Sequence, residues 1–212
     1  MTKNSEAYQA RATIALLCID LQRLDLDRNA GLLAQQEPSI ATAYLAHMKA
    51  QVLPNVERLQ TAFRDRGFEV LHARIQSMTS DGRDRSPWHK KLGIHVKPSD
   101  PMGHFISGVE PLDDEMIFNK TASGVFHSTN LQYVLNNLGI SALVVCGVFT
   151  DECVENAVRT GCDLGYNMTV ATDACAAVTP KRHEDALDSL RDRYAHAATT
   201  SEVINALIDG YE

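Results

Sequence analysis

The sequence predicts an α/β fold, a mostly parallel sheet covered on both faces by helices. Three observations carry that prediction. Short apolar runs of strand length recur along the chain, longer stretches with helical spacing stand between them, and glycines or prolines punctuate the junctions. Apolar residues make up 44% and charged residues 22% of the 212 positions, which suits one domain large enough to bury a sizeable core. A single domain over residues 12–212 is expected, preceded by a flexible arm over residues 1–11.

Each element has its own signal. IALLCID (14–20) is an apolar run ending in an acid, read as a buried strand. A polar segment follows, and then a helix from about Ser39 to Arg66, in which Val52, Val56, Leu59 and Phe63 recur at helical intervals and Gly67 supplies the stop. FEVLHAR (68–74) reads as the second strand. Residues 76–112 hold most of the prolines and show little periodicity, and a loop that long in a compact domain is usually a lid or otherwise functional. DEMIFNK (114–120) is the third strand, TNLQYVLNNLG (129–139) a helix ended by Gly139, and SALVVCG (141–147) the fourth strand. A helix from about Asp151 to Leu164 follows, then a fifth strand over 167–175 and a helix over 179–194 capped by Thr179 with Pro180 in its first turn. A short strand near AHAATT and a helix from Ser201 close the chain.

In a parallel sheet the site lies outside the carboxyl ends of the strands. Four such ends carry reactive side chains here: Asp20, Arg74, Lys120 and the turn leading to Cys153. Cys153 falls in the first turn of its helix, with Thr150 or Asp151 as cap. There, free N–H groups and the helix dipole favour a thiolate and could bind the oxyanion of a carbonyl under attack. It could equally be a small residue filling a helix–sheet contact. Asp20 could take the thiol proton or merely cap the next segment. Lys120 could tune both or be a solvated charge. The three positions together carry more than any one of them.

Composition excludes several classes. A net charge of −7 argues against a nucleic-acid surface, no apolar run approaches bilayer length, and the first residues lack the apolar core of a signal peptide. The five cysteines are widely spaced with no CxxC pair. That argues against a disulfide framework or a cysteine zinc site and fits a cytoplasmic protein with reduced thiols. Cys18 and Cys146 sit in strand-like runs as small hydrophobes, and Cys162 and Cys175 read as structural.

The ordered set "CIDLQ", "FNKTASGVF" and "GVFTDECVENAVRTGCDLGY…VATDACAA" resembles the isochorismatase-like cysteine hydrolases over about residues 12–205. The resemblance implies a three-layer α/β/α sandwich with a six-stranded, mostly parallel, Rossmann-like sheet, and homodimers or homotetramers. It also implies an Asp20–Lys120–Cys153 triad, a cis peptide before Phe149, and an oxyanion hole made by the N–H groups of Phe149 and Cys153. Relatives of this kind include nicotinamidases, carbamoylsarcosine amidases, ureidoacrylate and biuret hydrolases, and isochorismatases. The Asp-x-His metal motif of nicotinamidases is missing after the second strand, so neither a metal nor another cofactor is expected. A retained Cys153 favours attack on a small amide or ureide over cleavage of an enol ether, or over a non-catalytic oligomeric role.

Pocket walls must set specificity. Arg74 shares a strand face with Val70 and His72 and suits a carboxylate or ureido oxygen, or else a surface ion pair. Gln22 could bind an amide or satisfy local backbone. Trp88 and His89 could form a lid or an oligomer contact, and Phe126 and Phe149 flank the triad as an apolar wall.

Overall fold

Six strands run in one direction. They are β1 (Ile14–Ile19), β2 (Glu69–Ile75), β3 (Ile117–Lys120), β4 (Ala142–Val148), β5 (Asn167–Ala176) and β6 (His196–Ala198), in the spatial order β3-β2-β1-β4-β5-β6. Every ladder is parallel. The computed structural model describes residues 14–209, so the expected arm over residues 1–11 lies outside the described residues. The central strands β1 and β4 are apolar and buried throughout, as a sheet covered on both faces requires.

Helices flank the sheet. In chain order they are α1 (Pro38–His47), α2 (Leu53–Arg64), α3 (Pro87–Lys91), α4 (Val125–Ser128), α5 (Leu131–Leu138), α6 (Glu155–Asp163), α7 (Pro180–Leu190) and α8 (Thr200–Asp209). α2 lies on β1, β2 and β5 with α8 beside it, while α4, α6 and α7 pack together. Val56, Leu59 and Phe63 of α2 are fully buried, and each such side chain contributes about 1.5–3 kcal/mol relative to an exposed one. Among the described residues no helix is long and apolar enough to cross a membrane.

Three expectations need correction. The helix expected from Ser39 to Arg66 is interrupted by a wide π turn at Met48–Val52. The interruption falls where Pro54 offers no N–H to the carbonyl four residues back and its ring crowds that turn. The third strand begins at Ile117, because Glu115 is bound into a turn through the Leu112 N–H and backbone. The segment 76–112 is not featureless: α3 lies in it, with Ser86 capping the His89 N–H. Ile94 and Val96 of this segment pack with Leu24 and Ile75 into a small second core, which fixes it over the carboxyl end of the sheet.

The strand order reverses between β1 and β4: from β1 the chain proceeds to β2 and β3 on one side, and to β5 and β6 on the other. Gly147, near the end of β4, has φ of 116°, and a Cβ there would collide with the carbonyl of Ile19 on β1. Only glycine lets these two strand ends come so close.

Candidate active site

Side chains from three strand ends meet at this reversal point. Asp20 follows β1 with φ of 53°, a left-handed conformation that Asp accepts better than most residues. Its N–H donates to the Ala73 carbonyl at 2.9 Å, which extends the ladder to β2 by one bond. Lys120 ends β3, two strands away. Alternation puts Phe118 and Lys120 on the buried face, and Lys120 stands in register with Ile75. Its long side chain spans the gap. Nζ lies 2.9 Å from Asp20 Oδ2, 3.2 Å from the Ala122 carbonyl and 3.2 Å from Cys153 Sγ. Lys120 is fully buried, Asp20 is 1% exposed and Cys153 7%.

Cys153 sits in a second wide π turn, Thr150–Val154, which precedes α6. Neither Thr150 nor Asp151 caps it, contrary to expectation. The position before the turn is Phe149, whose carbonyl accepts from the N–H groups of both Glu152 and Val154. Thr150 Oγ1 instead lies 2.8 Å from His183 Nδ1. The peptide between Val148 and Phe149 is cis.

The electrostatics revise the expected resting state. Burial pushes the Cys153 thiol well above its ordinary range; Lys120 offsets part of that rise, and the charge of Asp20 adds to it. Burial thus opposes the thiolate that the helix terminus was expected to favour. Burial likewise raises Asp20, with Lys120 opposing. Burial alone would lower Lys120, but Asp20 and then Cys153 outweigh it and hold the ammonium protonated. Lys120 claims Asp20 Oδ2, while Oδ1 is buried with no hydrogen-bond partner.

Asp20 and Cys153, with Lys120 behind them, open on a narrow cleft of about 410 Å³, its solvent-open mouth included. Phe149 and His89 both line it. His89 is buried, with Nδ1 unpartnered, and burial, Lys120 and Arg85 lower it to about 4, so it is neutral at neutral pH. Trp88, half exposed, points to an open groove outside the cleft, where Lys91 Nζ lies 5.1 Å from its ring centre.

The other expected contacts are committed elsewhere. Gln22 donates to the carbonyls of Ile75 and Met102 and accepts from the Ile75 N–H, so its amide ties β2 to the covering segment. Arg74 does not converge with the triad. It donates to Asn119, Gly103 and Gln76 and lies over Phe105, because strand alternation sends its neighbour Ile75 into the cleft instead. Phe126 stacks on Tyr166 at 5.8 Å, away from the cleft.

Asp25 is the site residue that the sequence did not distinguish. It is 5% exposed, lines the cleft, and has an unpartnered Oδ2. It lies five residues past Asp20 in "DLQRLDLD", one acid among several in a polar stretch. A larger hollow of about 870 Å³ between α1 and the start of α7 holds none of the triad. It touches the site through Tyr44, whose ring lies tilted by 46° against Phe149 at 5.4 Å, and through His183, beside Thr150. Among the described residues no three His, Cys, Asp or Glu side chains are arranged to hold a metal ion.

Comparison with known proteins agrees with this architecture. The family model described as Isochorismatase domain matches residues 14–202. The uncharacterized isochorismatase family protein YecD of Escherichia coli O157:H7 is 28% identical, over 92% of this chain and 96% of its own. N-carbamoylsarcosine amidase of Arthrobacter sp is 24% identical, over 74% of this chain and 61% of its own. A solved cysteine hydrolase from Pseudomonas syringae pv. phaseolicola 1448A shares the fold with a TM-score of 0.76 at 22% identity, with 93% of each chain covered. The chain belongs to the isochorismatase family of hydrolases.

Proposed function

We propose that this hydrolase is a cysteine amidohydrolase that cleaves the C–N bond of a small amide or ureide. One observation carries the reading: a buried lysine ammonium stands within 3.2 Å of a thiol sulfur and 2.9 Å of a carboxylate oxygen, and the second oxygen of that carboxylate is unclaimed. Most buried polar atoms are paired, so an unclaimed carboxylate oxygen in a cluster with a thiol supports a role in moving the thiol proton. The amide-cleaving relative supports the substrate class.

The chemistry follows from the resting state. Asp20 Oδ1 takes the Cys153 proton as Sγ attacks the carbonyl carbon, and the raised basicity of a buried carboxylate suits that task. Lys120 stays protonated, holds Oδ2 and favours the developing thiolate. The N–H groups of Phe149 and Cys153 receive the oxyanion. Asp20 then returns the proton to the leaving nitrogen, the C–N bond breaks, and ammonia or an amine departs, leaving a thioester or thiocarbamate on Sγ. Water, deprotonated by Asp20, attacks that carbonyl; the C–S bond breaks and the proton passes to Sγ.

The test is ammonia release from a panel of small amides and ureides by wild type and Cys153→Ala. Turnover of a panel member that falls by about 10⁴-fold or more in the variant is expected for a removed nucleophile. Unchanged turnover in Cys153→Ala, or no ammonia from any compound, would overturn the reading.

A further inference from the structure

The lining of the cleft is one-sided in charge. Asp20, Asp25 and Glu152 contribute three carboxyl groups, and among the described residues no lysine or arginine lines it. Lys120 lies behind, engaged by Asp20 and Cys153. Arg74 is turned away, and His89 is neutral. Two of the three acids are answered: Asp20 by Lys120, and Glu152 by Arg182 at 3.4 Å.

Asp25 has no such answer. Among the described residues no hydrogen bond or ion pair ends on its carboxyl, and Oδ2 is sealed from solvent. Burial and the neighbouring charge of Asp20 both make an ionised Asp25 harder to hold, and Lys120 offsets only part of this. Leaving a buried polar group unpaired costs about 1–3 kcal/mol. A donor on a molecule in the cleft would recover that cost.

We infer that Asp25 is a specificity-determining residue: its carboxyl group accepts a hydrogen bond from an N–H donor that the substrate carries beyond the scissile carbonyl. The cleft accordingly takes neutral or cationic amides and ureides with a second N–H group and rejects those bearing a carboxylate. The inference rests on the amidohydrolase reading for what happens after binding, but the preference belongs to the cleft and is readable without turnover. It reverses the expectation that Arg74 recognises a carboxylate. A carboxylate entering this dry setting finds no lysine or arginine on the cleft wall to answer its charge.

Iodoacetamide and iodoacetate form a suitable pair, nearly equal in size, the first with an N–H group and the second with a carboxylate. Each alkylates a thiol, with an S–C bond formed, iodide expelled and the thiol proton released. Alkylation of Cys153 is followed by peptide mass spectrometry, which separates it from Cys162, with glutathione as the free-thiol reference. The ratio of iodoacetamide to iodoacetate rates at Cys153 is expected to exceed that of glutathione by about tenfold or more. It should fall by at least about fivefold in Asp25→Asn and Asp25→Ala, both of which should melt no lower than wild type because the carboxyl holds nothing in the empty protein. A wild-type ratio equal to glutathione's, a ratio unmoved in both variants, or a Cys153 that reacts with neither reagent overturns the inference. Selective alkylation without ammonia from any amide would sink the amidohydrolase reading alone, whereas turnover with flat selectivity would sink this one alone.

Discussion

Two charged clusters border the same sheet, and they are built to opposite ends. At the start of β3, Glu115 accepts from Arg64 Nε and Nη2 at 2.7 and 2.9 Å, lies 2.9 Å from His72 Nε2, and accepts from the Leu112 N–H at 3.0 Å. Both of its oxygens are used, and the cluster keeps some contact with water. At the end of β3, Asp20 and Lys120 are fully buried, and one carboxylate oxygen is left without a partner. Glu115 is held on both oxygens, as a structural acid is, whereas Asp20 keeps one oxygen that the proposed reaction would use to move a proton.

The contrast is most sharply broken by Lys120→Met, which keeps the buried stem and removes the charge. Asp20 is then buried alone, and a loss of about 3–5 kcal/mol in urea unfolding is expected, together with loss of ammonia release. The stability deficit should shrink at low pH, where protonation relieves the stranded carboxylate. A deficit below about 1 kcal/mol at neutral pH would mean that the pair is not buried as described.

His89 gives the next effect. Its pKa is about 4 in the folded chain against 6.5 ordinarily, so between those values the unfolded state binds the extra proton and stability falls as pH falls. From about pH 7 to about pH 5 this contributes a loss of about 2 kcal/mol. Urea unfolding at the two pH values should show a smaller loss in His89→Gln. Equal losses would refute the assigned burial of the ring.

The smallest effect is expected at the Glu115 cluster. Glu115→Gln should cost about 1–2 kcal/mol in urea unfolding, because Arg64 is partly served by water and only the buried His72 is left without a charged partner, while ammonia release stays within about threefold. A large activity loss there would erase the distinction between the two clusters.

The meeting of Asp20, Lys120 and Cys153 was legible because each stands at a strand end or in the turn that follows one, and the rule for parallel sheets already brings such ends together. The face on which β2 points was not legible. From Val70 to Ala73 every residue is buried, so no alternation of buried and open positions leads into Arg74 and Ile75, and a one-residue difference in register exchanged an outward hydrogen-bonding arginine for the inward isoleucine. Gln22 and Phe126 were misread for a related reason: proximity in sequence to Asp20 and Lys120 says nothing about which backbone or ring each side chain meets. Asp25 escaped because an orphaned acid is defined by what it lacks, and missing partners are visible only once the fold is built.

Gly147 has a bearing on how this protein could be lost to drift. It takes no part in any chemical step, yet the approach of the β1 and β4 ends depends on the space it leaves beside the Ile19 carbonyl. A mutation that added one methyl group there would push apart the segments carrying Asp20 and Cys153 while every residue able to touch a substrate kept its identity. A search for decayed copies that checked only the triad would count such a sequence as intact.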